Sequence, residues 1–184
     1  LYEPTSPPII TDKTIVMAGS VTDNFSTRET SGVIRGFDVN TGELLWAFDP
    51  GAKDPNAIPS DEHTFTFNSP NSWAPAAYDA KLDLVYLPMG VTTPDIWGGN
   101  RTPEQERYAS SILALNATTG KLAWSYQTVH HDLWDMDLPA QPTLADITVN
   151  GQKVPVLYAP AKTGNIFVLD RRNGELVVPA PEQP

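Results

Sequence analysis

Three stretches of this chain fall into one register. Gly36-Phe37-Asp38-Val39-Asn40-Thr41-Gly42-Glu43-Leu44-Leu45-Trp46 is the first. Ala114-Leu115-Asn116-Ala117-Thr118-Thr119-Gly120-Lys121-Leu122-Ala123-Trp124 is the second, and Val168-Leu169-Asp170-Arg171-Arg172-Asn173-Gly174-Glu175-Leu176-Val177-Val178 the third. Each holds a small or apolar residue, Asp or Asn two positions on, glycine four after that, and a large apolar residue four further. The glycine takes positive φ without steric cost, so one apolar strand can reverse tightly into the next. A strand–turn–strand unit that recurs along a chain predicts quasi-repeating β architecture. Such a unit cannot bury both faces alone, so each small sheet is expected to stack on its neighbours.

The remaining strand candidates agree. Thr14–Ala18, Leu84–Pro88, Val154–Ala159 and Asn165–Leu169 are short, rich in β-branched and aromatic residues, and bounded by turn residues. Within the repeats, Gly32–Phe37 is expected to pair with Glu43–Phe48, and Ser111–Leu115 with Lys121–Tyr126. The 18 prolines and 12 glycines argue for many turns and few long helices. The glycines of successive repeats stand further apart than the roughly 40–45 residues of a four-stranded blade. The excess lies in two polar segments without helical period, Asp49–Trp73 and Met89–Tyr108. Long loops of this kind in a compact fold are usually functional. About three blades are therefore expected, and a propeller closes with about four to eight. The fold class expected is all-β: residues 1–184 read as part of a single β-propeller domain, a segment of a larger ring. The opening Leu1–Pro8 has no initiator Met and no basic-then-apolar leader, as expected of an excised or processed piece.

Charge and composition narrow the chemistry. The net charge of −10 disfavours a nucleic-acid surface and permits a small neutral substrate. Absence of cysteine excludes a disulfide scaffold and thiolate metal sites. No apolar run approaches the roughly 20 residues of a membrane helix.

Four constellations could carry chemistry. His130-His131-Asp132-Leu133-Trp134-Asp135-Met136-Asp137 gathers two of the three histidines and three carboxylates just after a blade strand. It reads as a general base, a metal site or a polar turn, although adjacent histidines on an extended chain point to opposite faces. Asp23-Asn24, at a strand end, offers hard oxygen ligands suited to Ca²⁺ or Mg²⁺, or simply a turn. Trp73 lies outside the repeat register that Trp46 and Trp124 share; it could stack on a flat ligand or cover the core. Lys162 sits in a tight turn before a strand, where it could meet an anionic group or remain solvated.

In this order, Val21-Thr22-Asp23-Asn24, Asn71-Ser72-Trp73, the run Tyr126–Asp137 and Ala161-Lys162-Thr163-Gly164-Asn165 make the chain resemble a known family. It is similar, essentially from end to end, to the quinoprotein alcohol and sugar dehydrogenases that carry pyrroloquinoline quinone (PQQ). The Trp134-Asp135 block is the most specific part of the match. The three repeats resemble the tryptophan-docking motifs of that family's eight-bladed propeller. Within the family, the likeness is greatest to the membrane-bound glucose-oxidising members of Gram-negative bacteria.

The resemblance implies a role for each matching residue. Asp135 would be the general base on the substrate hydroxyl, Trp73 the floor beneath the planar cofactor, and Lys162 the cation beside the quinone oxygens. Asp23 and Asn24 would belong to the site of a divalent metal, Mg²⁺ or Ca²⁺. The implied activity is oxidation of glucose, or a related aldose, at the C1 hydroxyl to the lactone. PQQ would be the hydride acceptor and membrane ubiquinone the electron acceptor, on the periplasmic side of the bacterial inner membrane. This sequence departs from the alcohol dehydrogenases in two places. They carry glutamate where Asn24 falls, and an asparagine in a Gly-Thr-Gly-Asn run that here reads Pro88-Met89-Gly90-Val91. Both departures fit the sugar-oxidising type, which accepts Mg²⁺. A non-catalytic propeller scaffold of the outer-membrane assembly type would explain the repeats, but not Asp135, Trp73 and Lys162 together. An isolated segment is expected to be inactive.

Overall fold

A computed structural model describes residues 2–58, 60 and 64–182. Its elements in chain order begin with β1 (Tyr2–Glu3), β2 (Ile9–Ile10), β3 (Thr14–Met17), β4 (Ser20–Val21), β5 (Ile34–Asp38), β6 (Leu44–Phe48), β7 (Ala77–Asp79) and β8 (Leu84–Pro88). They continue with α1 (Pro103–Glu106), β9 (Ser111–Asn116), β10 (Leu122–Gln127), β11 (Thr143–Val149), β12 (Gln152–Pro160) and β13 (Ile166–Asp170).

Among the described residues the strands form successive antiparallel blades. β2-β3-β5-β6 is a four-stranded sheet, β7-β8-β9-β10 a second, and β11-β12-β13 a three-stranded third. β1 and β4 pair separately. A bridge between Leu169 and Leu176, with the Val177 amide donating to the Val168 carbonyl at 2.8 Å, starts a fourth strand on the third blade. It falls where the third repeat predicts one.

The repeat motif has a physical explanation. Asp38 Oδ1 accepts the amides of Asn40 and Thr41, each at 2.8 Å. Asn116 Oδ1 accepts that of Thr119 at 2.9 Å, and Asp170 Oδ1 that of Arg172 at 2.9 Å. These side-chain-capped turns leave the glycine as the point of reversal, with φ of +74°, +69° and +77° at Gly42, Gly120 and Gly174. The tryptophans then dock between blades. Trp46 of the first blade lies on Gly120 of the second, its Nε1 donating to the Ala117 carbonyl at 3.1 Å. Trp124 of the second lies on Gly174 of the third and donates to the Arg171 carbonyl at 3.2 Å.

Burial on both faces explains why the middle blade is apolar without alternation. Val85 and Leu87 of β8, with Leu113 and Leu115 of β9, pack against Ile34, Trp46 and Phe48 of the first blade. The intervening Leu84, Tyr86, Ile112 and Ala114 face the opposite way, against Leu157, Phe167 and Leu169 of the third. Arg171 adds a polar staple across that second interface, its Nε 2.6 Å from Asp79 Oδ2.

The short strands β1, β2, β4 and β7 lie outside the sequence expectations, as do β11 and α1. β11 was not expected, yet it pairs with β12 from Thr143↔Tyr158 to Val149↔Gln152 through Asn150-Gly151, an Asn-Gly hairpin signal. Its alternating, partly exposed residues give no buried run to mark it. Helix α1 interrupts the Met89–Tyr108 loop, started by a capping box between Thr102 and Gln105. Gln105 Nε2 also donates to the Phe67 carbonyl at 2.9 Å, and Asn68 Nδ2 to the Thr93 carbonyl at 2.9 Å. The two long loops are thereby laced into one wall.

Candidate active site

That wall borders a cleft of about 250 Å³, lined in part by Asp23, Asn71, Trp73, Asp95, Asp135, Asp137 and Lys162. Four of the five residues singled out from the sequence therefore line one cleft. The fifth, Asn24, adjoins it through Asp95.

The run after β10 reaches the cleft by a turn organised on Asp132, which is wholly buried. Asp132 Oδ1 accepts the Trp134 amide at 2.9 Å, and Oδ2 accepts the Met136 amide at 2.8 Å and the Ser110 hydroxyl at 2.7 Å. Within this turn Asp135 takes a φ of +58°, a conformation aspartate tolerates better than most residues. The histidines serve elsewhere: His130 Nδ1 lies 2.9 Å from Glu182, and His131 Nδ1 2.9 Å from Glu106. Neither lines the cleft. Trp134 is 64% exposed and so is not a core residue.

Lys162 stands at the centre. Its Nζ is 2.6 Å from Asp137 Oδ1 and 2.9 Å from Asp135 Oδ2, and 5.8 Å from the centre of the Trp73 ring. Trp73 Nε1 donates to Asp137 Oδ2 at 2.8 Å. Behind Trp73, its carbonyl accepts the hydroxyls of Thr5 and Ser6. The amide oxygen of Asn71 is buried and has no hydrogen-bond partner.

Asn24 is committed differently from its neighbour. Its Nδ2 donates to Asp95 Oδ2 at 2.7 Å, and its Oδ1 accepts the Asp95 amide at 2.9 Å. Among the described residues, no three His, Asp or Glu side chains form a metal cluster.

Charge crowding governs the titration of this site. Burial pushes the Asp95 carboxyl up to about 6; the Asn24 bond opposes this, and the charges of Asp23, Asp135 and Asp137 reinforce it. Burial likewise raises Asp137, against the opposing pull of Lys162 and Trp73. Asp23 is raised by burial and then by the charge of Asp135. Burial works against the Lys162 ammonium, but Asp137 and Asp135 more than compensate and hold it above its ordinary value. Sequence reasoning did not single out Asp95, Asp137 or Asn71. The last two lay inside quoted motifs, whereas Asp95 lies in a long loop and carries no local signal.

The blades, the docking tryptophans and the cleft define the class. Over residues 1–184 the chain matches the family described as PQQ: glucose/ethanol/alcohol dehydrogenase, beta-propeller domain, and it belongs to that family. It is 99% identical over 184 residues to the quinoprotein glucose dehydrogenase of Escherichia coli (strain K12), covering 100% of this chain and 23% of that protein. It is 67% identical over 184 residues to quinoprotein glucose dehydrogenase A of Acinetobacter calcoaceticus, again covering 100% of this chain and 23% of the relative. The solved structure of quinohemoprotein alcohol dehydrogenase ADHIIG from Pseudomonas putida HK5 superposes with a TM-score of 0.76 at 26% identity, over 96% of this chain and 27% of that one. The chain thus spans 23% of the length of these two curated relatives. The all-β propeller expectation and the PQQ-dependent family both stand.

Proposed function

We propose that this chain supplies the catalytic corner of a PQQ-dependent dehydrogenase that oxidises glucose at its C1 hydroxyl to the lactone. The relatives' names support the substrate. The observation that carries the site assignment is Lys162, held between Asp135 and Asp137 above the Trp73 ring. A scaffold has no need to gather Asp23, Asp95, Asp135 and Asp137 in one cleft and to set Lys162 between two of them. With the chain spanning 23% of its relatives, we assign turnover to the full-length protein and none to these residues alone.

The residues suit a flat, anionic, polar-edged cofactor. Trp73 offers an aromatic face, Lys162 a cation near it, and Asn71 Oδ1 a buried acceptor without a donor. When bound, PQQ supplies a two-electron acceptor, and a divalent ion beside it supplies Lewis-acid polarisation. Asp135 has a side chain 42% exposed, open enough to meet a sugar hydroxyl and accept its proton. Lys162 places a fixed positive charge where negative charge would develop. Asp23 and Asn24 are assigned to Mg²⁺ or Ca²⁺. Asp23 fits because burial, and then the charge of Asp135, raises its carboxyl, an effect a cation beside it would oppose. Electrons would pass to ubiquinone on the periplasmic side of the inner membrane. No helix among the described residues is long and apolar enough to cross a membrane, so any helical anchor would lie outside them.

The direct test is Asp135→Asn in the full-length enzyme. Turnover is expected to fall by about 10²–10⁴-fold, with PQQ still bound. A variant that keeps most of its kcat removes Asp135 as the base.

A further inference from the structure

Asp135 and Lys162 make an awkward pair, because a base held by a lysine is partly neutralised before any substrate arrives. The geometry points to the residue that resolves this. We propose that Asp137 is the positioning residue of the cleft: it is the closer and more buried counter-ion of Lys162 and the anchor of Trp73, so Asp135 is not the sole partner of the ammonium. This rests on the function proposed above and adds a part that the assigned residues do not fill.

Distance and burial favour Asp137 over Asp135 as the partner of Lys162. The Nζ contact is 2.6 Å to Asp137 and 2.9 Å to Asp135, and the side chains are 4% and 42% exposed. A charge pair strengthens as it shortens and as water withdraws from it. Asp137 also turns each oxygen to a different partner: Oδ1 meets Lys162 as an ion pair, while the ammonium's hydrogen bond goes to Asp135 Oδ2, and Oδ2 of Asp137 accepts the Trp73 indole. Its backbone carbonyl accepts the Lys162 amide at 3.2 Å. One residue therefore ties the turn after β12 to the loop before β7, which belong to different blades. Both partners are donors, so an acceptor-only side chain is required. Asparagine would turn an NH₂ towards one of them. The other charged groups on the cleft, Asp23 and Asp95, do not touch Lys162 closely enough to form an ion pair.

The test uses the full-length enzyme and three variants. In Asp137→Asn, the PQQ dissociation constant, read by quenching of tryptophan emission, is expected to rise about tenfold or more. Its kcat is expected to fall by up to about 10²-fold, with the glucose KM changed far less. Asp137→Glu keeps the charge and both acceptor oxygens and is expected to recover most of the PQQ affinity. Trp73→Phe keeps a flat ring but loses the donor to Asp137, so its PQQ affinity is expected to weaken too. It decides the matter if Asp137→Asn does not fold. A purely structural residue would lower the melting midpoint of the asparagine and glutamate variants alike and leave the PQQ affinity of folded protein unchanged. Parental affinity in Asp137→Asn or in Trp73→Phe, or a glutamate variant no better than asparagine, overturns the proposal. Asp135→Asn, run in parallel, separates the two claims: parental turnover there sinks the base assignment while leaving the Asp137 affinity result to be judged alone.

Discussion

Replacing Gly120 by alanine tests whether tryptophan docking, rather than sheet formation alone, holds adjacent blades together. Two costs arise. Gly120 has a φ of +69°, and an L-residue there is strained by about 1–2 kcal/mol. The new methyl would also overlap the Trp46 indole. The ring has no retreat, because a Cβ at Gly36, on its own blade, would overlap the same indole. Trp46 is 4% exposed and donates to the Ala117 carbonyl. Complete loss of a buried tryptophan costs about 3–5 kcal/mol. Partial undocking plus strain places Gly120→Ala at about 3–5 kcal/mol in total. Gly151 is the control: its φ is +80°, but nothing lies within 4 Å of an added Cβ. Gly151→Ala should cost only the backbone strain, about 1–2 kcal/mol. The assay is urea unfolding of the full-length protein followed by proteolytic susceptibility, with Trp46→Ala and the double variant completing a cycle. In the Trp46→Ala background the alanine at 120 should cost little more than strain. The docking account fails if Gly120→Ala and Gly151→Ala destabilise equally, or if the Trp46 and Gly120 changes simply add.

Two further outcomes follow from the cleft. Asp23→Asn combined with Asn24→Ala should raise the Mg²⁺ or Ca²⁺ concentration needed to reconstitute the full-length enzyme with PQQ; superimposable metal titrations of variant and parent would show these residues are not ligands. Asp95, raised to about 6, holds its proton more tightly folded than unfolded, so its contribution to stability is fully present below the ordinary carboxylate pKa and is lost as pH rises through about 6. Asp95→Asn should therefore flatten the pH dependence of the melting midpoint in that window, and an unchanged dependence would refute the assignment.

The repeat register determined the β5–β6 and β9–β10 hairpins and the quasi-repeating blade class. These follow from local rules: an Asp or Asn caps the turn, a glycine reverses it, and an apolar run buried on both faces lacks alternation. The motifs also singled out Asp135, Trp73 and Lys162, but only as separate points on the chain. Their meeting was decided by tertiary structure. Lys162 follows β12, Trp73 precedes β7, and Asp135 follows β10, so no local pattern could show that one ammonium lies between Asp135 and Asp137. Asn24 illustrates the same limit: as a dipeptide with Asp23 it reads as a ligand pair, and nothing local shows that the fold also joins its amide to Asp95, far along the chain. Asp95 itself could not be found by motif, because its raised carboxyl comes from burial and from charges brought in by other segments. Local geometry is written in neighbouring residues, but a site's electrostatics depend on which distant groups share one low-dielectric space, and that is set only when the blades stack.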